Sequence, residues 1–371
     1  MRNTKIALAV LALVASTAAM ADGANVYGHI DASASKQTNQ ATQFGEGNWD
    51  SSVFGVKGSE DLDGGIKANY NLEVGYNSGN GAMTNGGTQY GLLSNPVFNR
   101  AANVGLAGDF GSVKLGLQIS PIIGASLAGA ATGNQSFNVN LLAMAGSVAT
   151  TLNANSSLTI PVATSLTAGL TTGGFFIPNA ISYSTPSIGG FSATVLTQLA
   201  ASGSPNNSGQ EYTAGSASFA QGDVNVSVGY ETKKVSLAAV TLGSTVSNAA
   251  TTESKTYSIA GAYKMGPAHL GGGYISVDTV GVAQKRNTYY VSLGYDVASN
   301  VNVSLNYGRN NDTQADSIIN LGLKYDLSKR TYAYSTIARA DGASALYSSA
   351  ATPATGKRDV TGFAVGIGHS F

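Results

Sequence analysis

The strongest constraint on this chain is a period of two. Residues 66–76 set Ile66, Ala68, Tyr70, Leu72, Val74 and Tyr76 on one side and Lys67, Asn69, Asn71, Glu73 and Gly75 on the other. Successive side chains of a strand point to opposite faces, so such a run has one apolar and one polar face. The alternation returns at Tyr289, Val291, Leu293 and Tyr295, and at Leu321, Leu323 and Tyr325. It returns again at Val301, Val303, Leu305 and Tyr307 against Asn302, Ser304 and Asn306. A helix needs a repeat near 3.6 residues and cannot use this pattern.

Clusters of Gly, Asp, Pro and Asn punctuate the runs. Seven are short, at 61–65, 108–111, 186–190, 221–223, 265–268, 298–300 and 327–330. Eight connections are longer, near 36–48, 78–97, 119–178, 200–211, 243–254, 279–286, 310–315 and 340–359. Together they join sixteen strands. Residues 224–242 count as one strand whose pattern breaks at Lys233 and Lys234; counting it as two would give seventeen.

Strands of about ten residues, tight turns at one end and long loops at the other, describe an all-β, antiparallel up-and-down barrel that crosses a membrane. A spanning sheet must close, because every backbone group has to be paired in lipid. Tyr263, Tyr295, Tyr307 and Tyr325 fall near strand ends, where an aromatic girdle would sit. Composition agrees: charged residues are 11%, against roughly 25% in soluble globular proteins. A soluble sandwich or solenoid of similar hairpins is the alternative. The final run, "GFAVGIGHSF", argues against it by ending an apolar face on Phe371, a residue poorly suited to a frayed soluble tail. There is no cysteine, so closure rather than a disulfide has to supply stability.

The N-terminus reads as an export signal over residues 1–21, with Arg2 and Lys5, an apolar run from Ile6 to Val14, and Ala19-Met20-Ala21 as the cleavage site. The mature chain is then 22–371. Losing two of 20 basic residues and none of 20 acidic ones leaves a formal charge of −2, so no basic balance points to nucleic acid.

The motifs in order resemble the Gram-negative general porins. "NVYGHIDAS" (25–33) is similar to the family's first strand and "FGVKGSEDLDGGIKANYNLE" (54–73) to its second and third. "FNRAANVGLAGDFGSVKLG" (98–116), "NAISYSTP" (179–186), "YDLSKRTYAY" (325–334) and "VGIGHSF" (365–371) follow. The resemblance covers nearly the whole mature chain. It implies a sixteen-stranded barrel in outer-membrane lipid, a homotrimer, and passive diffusion of small hydrophilic solutes and ions. It also implies assembly by the barrel assembly machinery, read from the end at Phe371. The third long loop, 119–178, would fold into the lumen as the constriction loop.

That loop lies in an electrostatic silence. The 96 positions between Lys114 and Glu211 hold no Asp, Glu, Lys or Arg. In the family, acids on this loop face arginines on the wall, and opposed charges in a narrow throat make a strong transverse field. Here the three wall positions that the resemblance assigns to arginine are Val53, Leu117 and Phe176. A lone acid facing such a wall would be costly, so both sides losing charge together is coherent. The expectation is a weakly charged throat that passes small solutes, or one suited to neutral or moderately apolar solutes. The alternative is charge relocated to other candidate lumen residues: Lys67, Glu73, Arg100, Arg309, Lys324 or Arg339.

Other classes find little support. The three histidines, His29, His269 and His369, are far apart, and no G-x-S-x-G, H-E-x-x-H or Walker motif occurs. His269 beside Ser258 across a hairpin could mimic a hydrolytic pair, but the expected reading is an ordinary lumen or girdle histidine. An adhesin or receptor acting through its outer loops would need more charge and aromatic character there. Nothing implies a cofactor or a metal.

Overall fold

The computed structural model describes residues 23–38, 41–83, 97–134, 176–199, 210–237, 240–242, 245–247, 250–280, 285–311, 317–342 and 358–371. The export signal at 1–21 and most of the loop at 119–178 lie outside them.

Sixteen antiparallel strands form the wall. They are β1 (Asn25–Gln37), β2 (Val53–Asp61), β3 (Lys67–Gly75), β4 (Ala101–Gly108), β5 (Gly111–Ile119), β6 (Phe176–Ser184), β7 (Phe191–Gln198) and β8 (Gln210–Gln221). The second half is β9 (Val224–Leu237), β10 (Ala250–Met265), β11 (Ala268–Thr279), β12 (Arg286–Ala298), β13 (Val301–Asn310), β14 (Ser317–Asp326), β15 (Thr331–Gly342) and β16 (Arg358–Ser370). Each pairs with the next, and β16 returns to β1 from His29↔Ser370 to Gln37↔Gly362. The sheet therefore has no free edge. At the seam the backbones of Gly28 and Phe371 exchange two hydrogen bonds, at 3.1 and 3.0 Å. All seven short connections fall where the turn signals put them. The strand read over 224–242 runs unbroken past Lys233 and Lys234 but ends at Leu237, with Val240–Leu242 pairing instead with Thr245–Ser247, and the wall has sixteen strands. The pattern breaks at Lys233 and Lys234 because one faces in, buried, and the other faces out to pair with Glu211 at 3.6 Å.

Partners directly opposite in register share a face, so one inward residue propagates around the barrel. Tyr27, His29 and Asp31 of β1 define the inner side, and Glu73, Ala101, Lys114 and Ser182 follow from strand to strand. The other side carries exposed Val104, Leu115, Val228, Ile259, Val291, Leu321 and Val365. This is an apolar outside and a polar inside, the reverse of a soluble barrel. Exposed Tyr263, Tyr295 and Tyr325 ring the tight-turn end. Tyr307 instead lies toward the loop end, with Tyr257, Tyr274 and Tyr289. Aromatic rings thus mark both membrane interfaces.

Candidate functional site

What is left of the lumen depends on the third loop. At its root Gly116 adopts φ +118° and Asn179 φ +53°, bracketing a bulge in the β5–β6 ladder. The chain then turns inward. Ser120 caps a short helix, α1 (Pro121–Leu127), its hydroxyl accepting from the Ile122 N–H at 3.3 Å, with Pro121 in the first turn where no donor is lost.

α1 lies flat against the inner wall. Ile122 and Ile123 pack on Ile275 and Val277. Just beyond, the backbone of Gly129 runs against that of Gly272, so close that a β-carbon on Gly129 would sit 2.1 Å from the Gly272 carbonyl. The run of three glycines at 271–273 is therefore a bed for the loop. The Tyr290 hydroxyl clamps it, donating to the Ser126 carbonyl at 2.8 Å and accepting from the Gly129 N–H at 3.2 Å. Further on, Thr132 donates to Asn306 and Asn134 to Asn320, both at 3.0 Å. At the other end Ser120 meets the Tyr212 hydroxyl at 2.5 Å, and Tyr212 and Thr256 donate to the buried Glu231 carboxylate at 2.5 and 2.8 Å. Residues 120–134 thus cover the wall from β8 to β14.

The loop leaves a cavity of about 880 Å³ beside β2–β8. Ile119, Pro121 and Phe176 form its apolar lip, and Ser182, Thr194 and Ser216 a hydroxyl wall. Its charged groups are Lys57, Glu73, Arg100 and Lys114. Arg100 Nε binds Glu73 at 2.6 Å while its guanidinium lies 5.1 Å from the centre of the Phe176 ring. The Tyr27 hydroxyl donates to the second Glu73 oxygen at 2.7 Å. That carboxylate is neutralised where it stands. Lys57 lies over the Tyr27 ring at 4.6 Å, a cation–π contact that leaves its charge uncancelled. Neither Lys57 nor Lys114 has an ion-pair partner among the described residues.

The residues singled out from sequence divide. Phe176 lines the cavity under Arg100. Val53 is in the inward register, opposite His29 and Gly75, one step above the cavity. Leu117 stands opposite Ala102, on the outward register shared with Val113 and Leu115, and is buried. Glu73 and Arg100 meet in the cavity. Lys67 is inward at the tight-turn end, 3.2 Å from Asp61. Lys324 is inward too, 2.8 Å from Asp326 and over the Tyr332 ring.

Three of these residues need correction: Leu117, expected to line the pore, faces outward, and so do two of the candidate lumen charges. Arg309 and Arg339 are not lumen charges. Arg309 faces Tyr289 and Ser317, and Arg339 faces Ile319 and Thr361, all on the outer face at the loop end. Each lies an odd number of residues from an inward neighbour, so the pleat turns it out. His269 is an ordinary lumen histidine, as expected: it binds Asp296 at 2.8 Å, while Ser258 stands opposite Ile275. Sequence reasoning missed Lys57 and Lys114. Their inward facing follows from alternation once the register to Glu73 is known, and no local signal carries that register.

A family model described as Gram-negative porin matches residues 7–345. Among curated proteins, the outer membrane porin protein 32 of Delftia acidovorans is 27% identical over 91% of this chain and 89% of its own length. Among solved structures, an anion-selective porin from Comamonas acidovorans is 22% identical with a TM-score of 0.68, covering 94% of this chain and all of that one. The trimer form of OmpT from Vibrio cholerae is 16% identical with a TM-score of 0.60, covering 95% of this chain and all of that one.

Proposed function

This chain belongs to the Gram-negative porins, channels of the outer membrane for passive diffusion of small solutes, and on that premise we propose that its channel is weakly selective, with a tilt toward anions. One observation carries the reading. The third loop brings no charge into the lumen, while the cavity wall carries Lys57, Arg100 and Lys114 against the single carboxylate of Glu73. With Glu73 cancelled by Arg100, two ammonium groups remain, and low-dielectric walls focus their field on the solute path. The relative from Comamonas acidovorans, described as anion-selective, agrees in sign.

The mature barrel is 22–371, released from an export signal at 1–21. Phe371 on the closing strand serves as the end read by the assembly machinery. The functional unit is a homotrimer, as in the trimer form of OmpT. A second reading, passage of neutral or moderately apolar solutes, draws on the lip of Ile119, Pro121 and Phe176 beside the hydroxyl wall. Reversal potential in a salt gradient, on purified protein in planar bilayers, separates the two. A modest anion-favouring potential supports the first reading; a potential at zero supports the second.

A further inference from the structure

The third loop is not the only segment turned into the barrel. Gln43–Gly45 pairs with Ser33–Ser35, extending the sheet beside the upper half of β1. Residues 46–52 then leave the wall and cross the inner face toward β14 and β15. Trp49, only 4% exposed, lies 5.5 Å from Tyr334 centroid to centroid. It also covers Gly322, where a β-carbon would come within 2.9 Å of the indole. Tyr334 and Gly322 are both inward residues, on strands two and three places around the barrel from β1.

The anchor is Asp31, which is fully buried. One carboxylate oxygen accepts from the backbone N–H groups of Trp49 and Asp50, at 3.2 and 3.1 Å. The other accepts from the Tyr334 hydroxyl at 2.6 Å. The Asp31 N–H donates to Ser52 Oγ at 3.0 Å, and Asn48 Nδ2 donates to Ser33 Oγ at 2.7 Å. A buried carboxylate is tolerated only when donors fill its lone pairs, and such charge-assisted bonds are the strong ones. Here the loop supplies two of the three donors, so loop and carboxylate hold each other in place.

We infer that residues 46–52 are a second constriction element, held in the lumen by Asp31, and that they limit solute size from the β14–β1 side. The third loop covers β8 to β14, and together the two inserts confine the open path to the cavity beside β2–β8. A loop serving only to join β1 and β2 would have no use for an indole laid over the inner face of β14.

Trp49 is the single tryptophan, so its fluorescence reports the loop directly. In reconstituted wild type its emission should be blue-shifted and its quenching by acrylamide slow. Asp31→Ala red-shifts the emission, speeds quenching, and raises single-channel conductance on the order of 1.5-fold, because a wider throat passes more ions. Liposome swelling with neutral sugars of increasing mass then shows a larger exclusion limit. Trp49→Ala, which keeps Asp31, gives the same rise in conductance. Wild-type Trp49 quenched as fast as free tryptophan would overturn the inference. So would an Asp31→Ala barrel that folds, by heat-modifiable mobility on gels, with conductance and exclusion limit unchanged. Should Asp31→Ala fail to assemble, wild-type quenching and Trp49→Ala decide between the two outcomes.

Discussion

Replacing Lys57 and Lys114 by glutamine removes the two uncancelled cations of the cavity and leaves the Arg100–Glu73 pair intact. The size of the effect follows from Coulomb's law. With each ammonium about 10 Å from a solute on the path, the interaction is about 0.4 kcal/mol at the dielectric constant of water. In 0.1 M salt that distance is one Debye length, so screening leaves roughly 0.15 kcal/mol per charge. Two charges attract an anion and repel a cation, and the gap between them reaches about 0.6 kcal/mol, or roughly a threefold preference for anions. Low-dielectric walls push this figure up rather than down. At 1 M salt the Debye length falls to about 3 Å and the preference all but disappears. The assay is reversal potential across a tenfold salt gradient, centred first near 0.1 M and then near 1 M. Wild type should favour anions about threefold in dilute salt and hardly at all in concentrated salt, at the strength the screening arithmetic gives. Lys57→Gln/Lys114→Gln should be close to non-selective in both. A wild type that favours cations, or a double variant with unchanged selectivity, would refute the reasoning and move the governing charges elsewhere.

Three further outcomes follow from the same geometry. Neutralising Arg309 and Arg339 to glutamine should leave the reversal potential where it was, because both face outward; a clear shift would mean they reach the lumen. Gly129→Val puts a branched side chain where even a β-carbon would lie 2.1 Å from the Gly272 carbonyl. It should cost about 1–3 kcal/mol as overpacking does, read as a lower heat-modification temperature together with altered or noisier conductance from a lifted loop. Phe371→Asp should lower the yield of assembled protein, since the residue closes the seam with Gly28 and a charge on the lipid face is penalised, though less near the interface than at the midplane. Normal yield and mobility would remove Phe371 from the assembly signal.

Much of the barrel was legible in the sequence because lipid imposes a strict code. A strand with one face in hydrocarbon must alternate, and the alternation at Tyr289–Tyr295 or Val301–Tyr307 survives in a single sequence without any knowledge of its neighbours. Turn chemistry is equally local, so the seven short connections can be placed from the sequence alone. Which residues meet inside is a different matter. Arg309 and Arg339 stand in the sequence as candidate lumen charges, yet both face outward, because one residue of register separates lumen from lipid and register belongs to a pair of strands. The resemblance directed attention to Val53, Leu117 and Phe176. Only the fold turned Leu117 outward, brought Arg100 over Phe176, and left Lys57 and Lys114 as the uncancelled charges of the cavity.

The inserts show the same division. Sequence alone revealed that residues 119–178 are long and without charge. It carried no sign that the glycines at 271–273 would form a bed for Gly129, nor that Asp31, Trp49 and Tyr334 would meet across 303 positions of chain. Periodicity is a property of one strand in its solvent, and the chain states it residue by residue. Contacts across the lumen arise only when closure brings distant strands and loops within reach, so the charge and the width of the channel were decided by the tertiary structure.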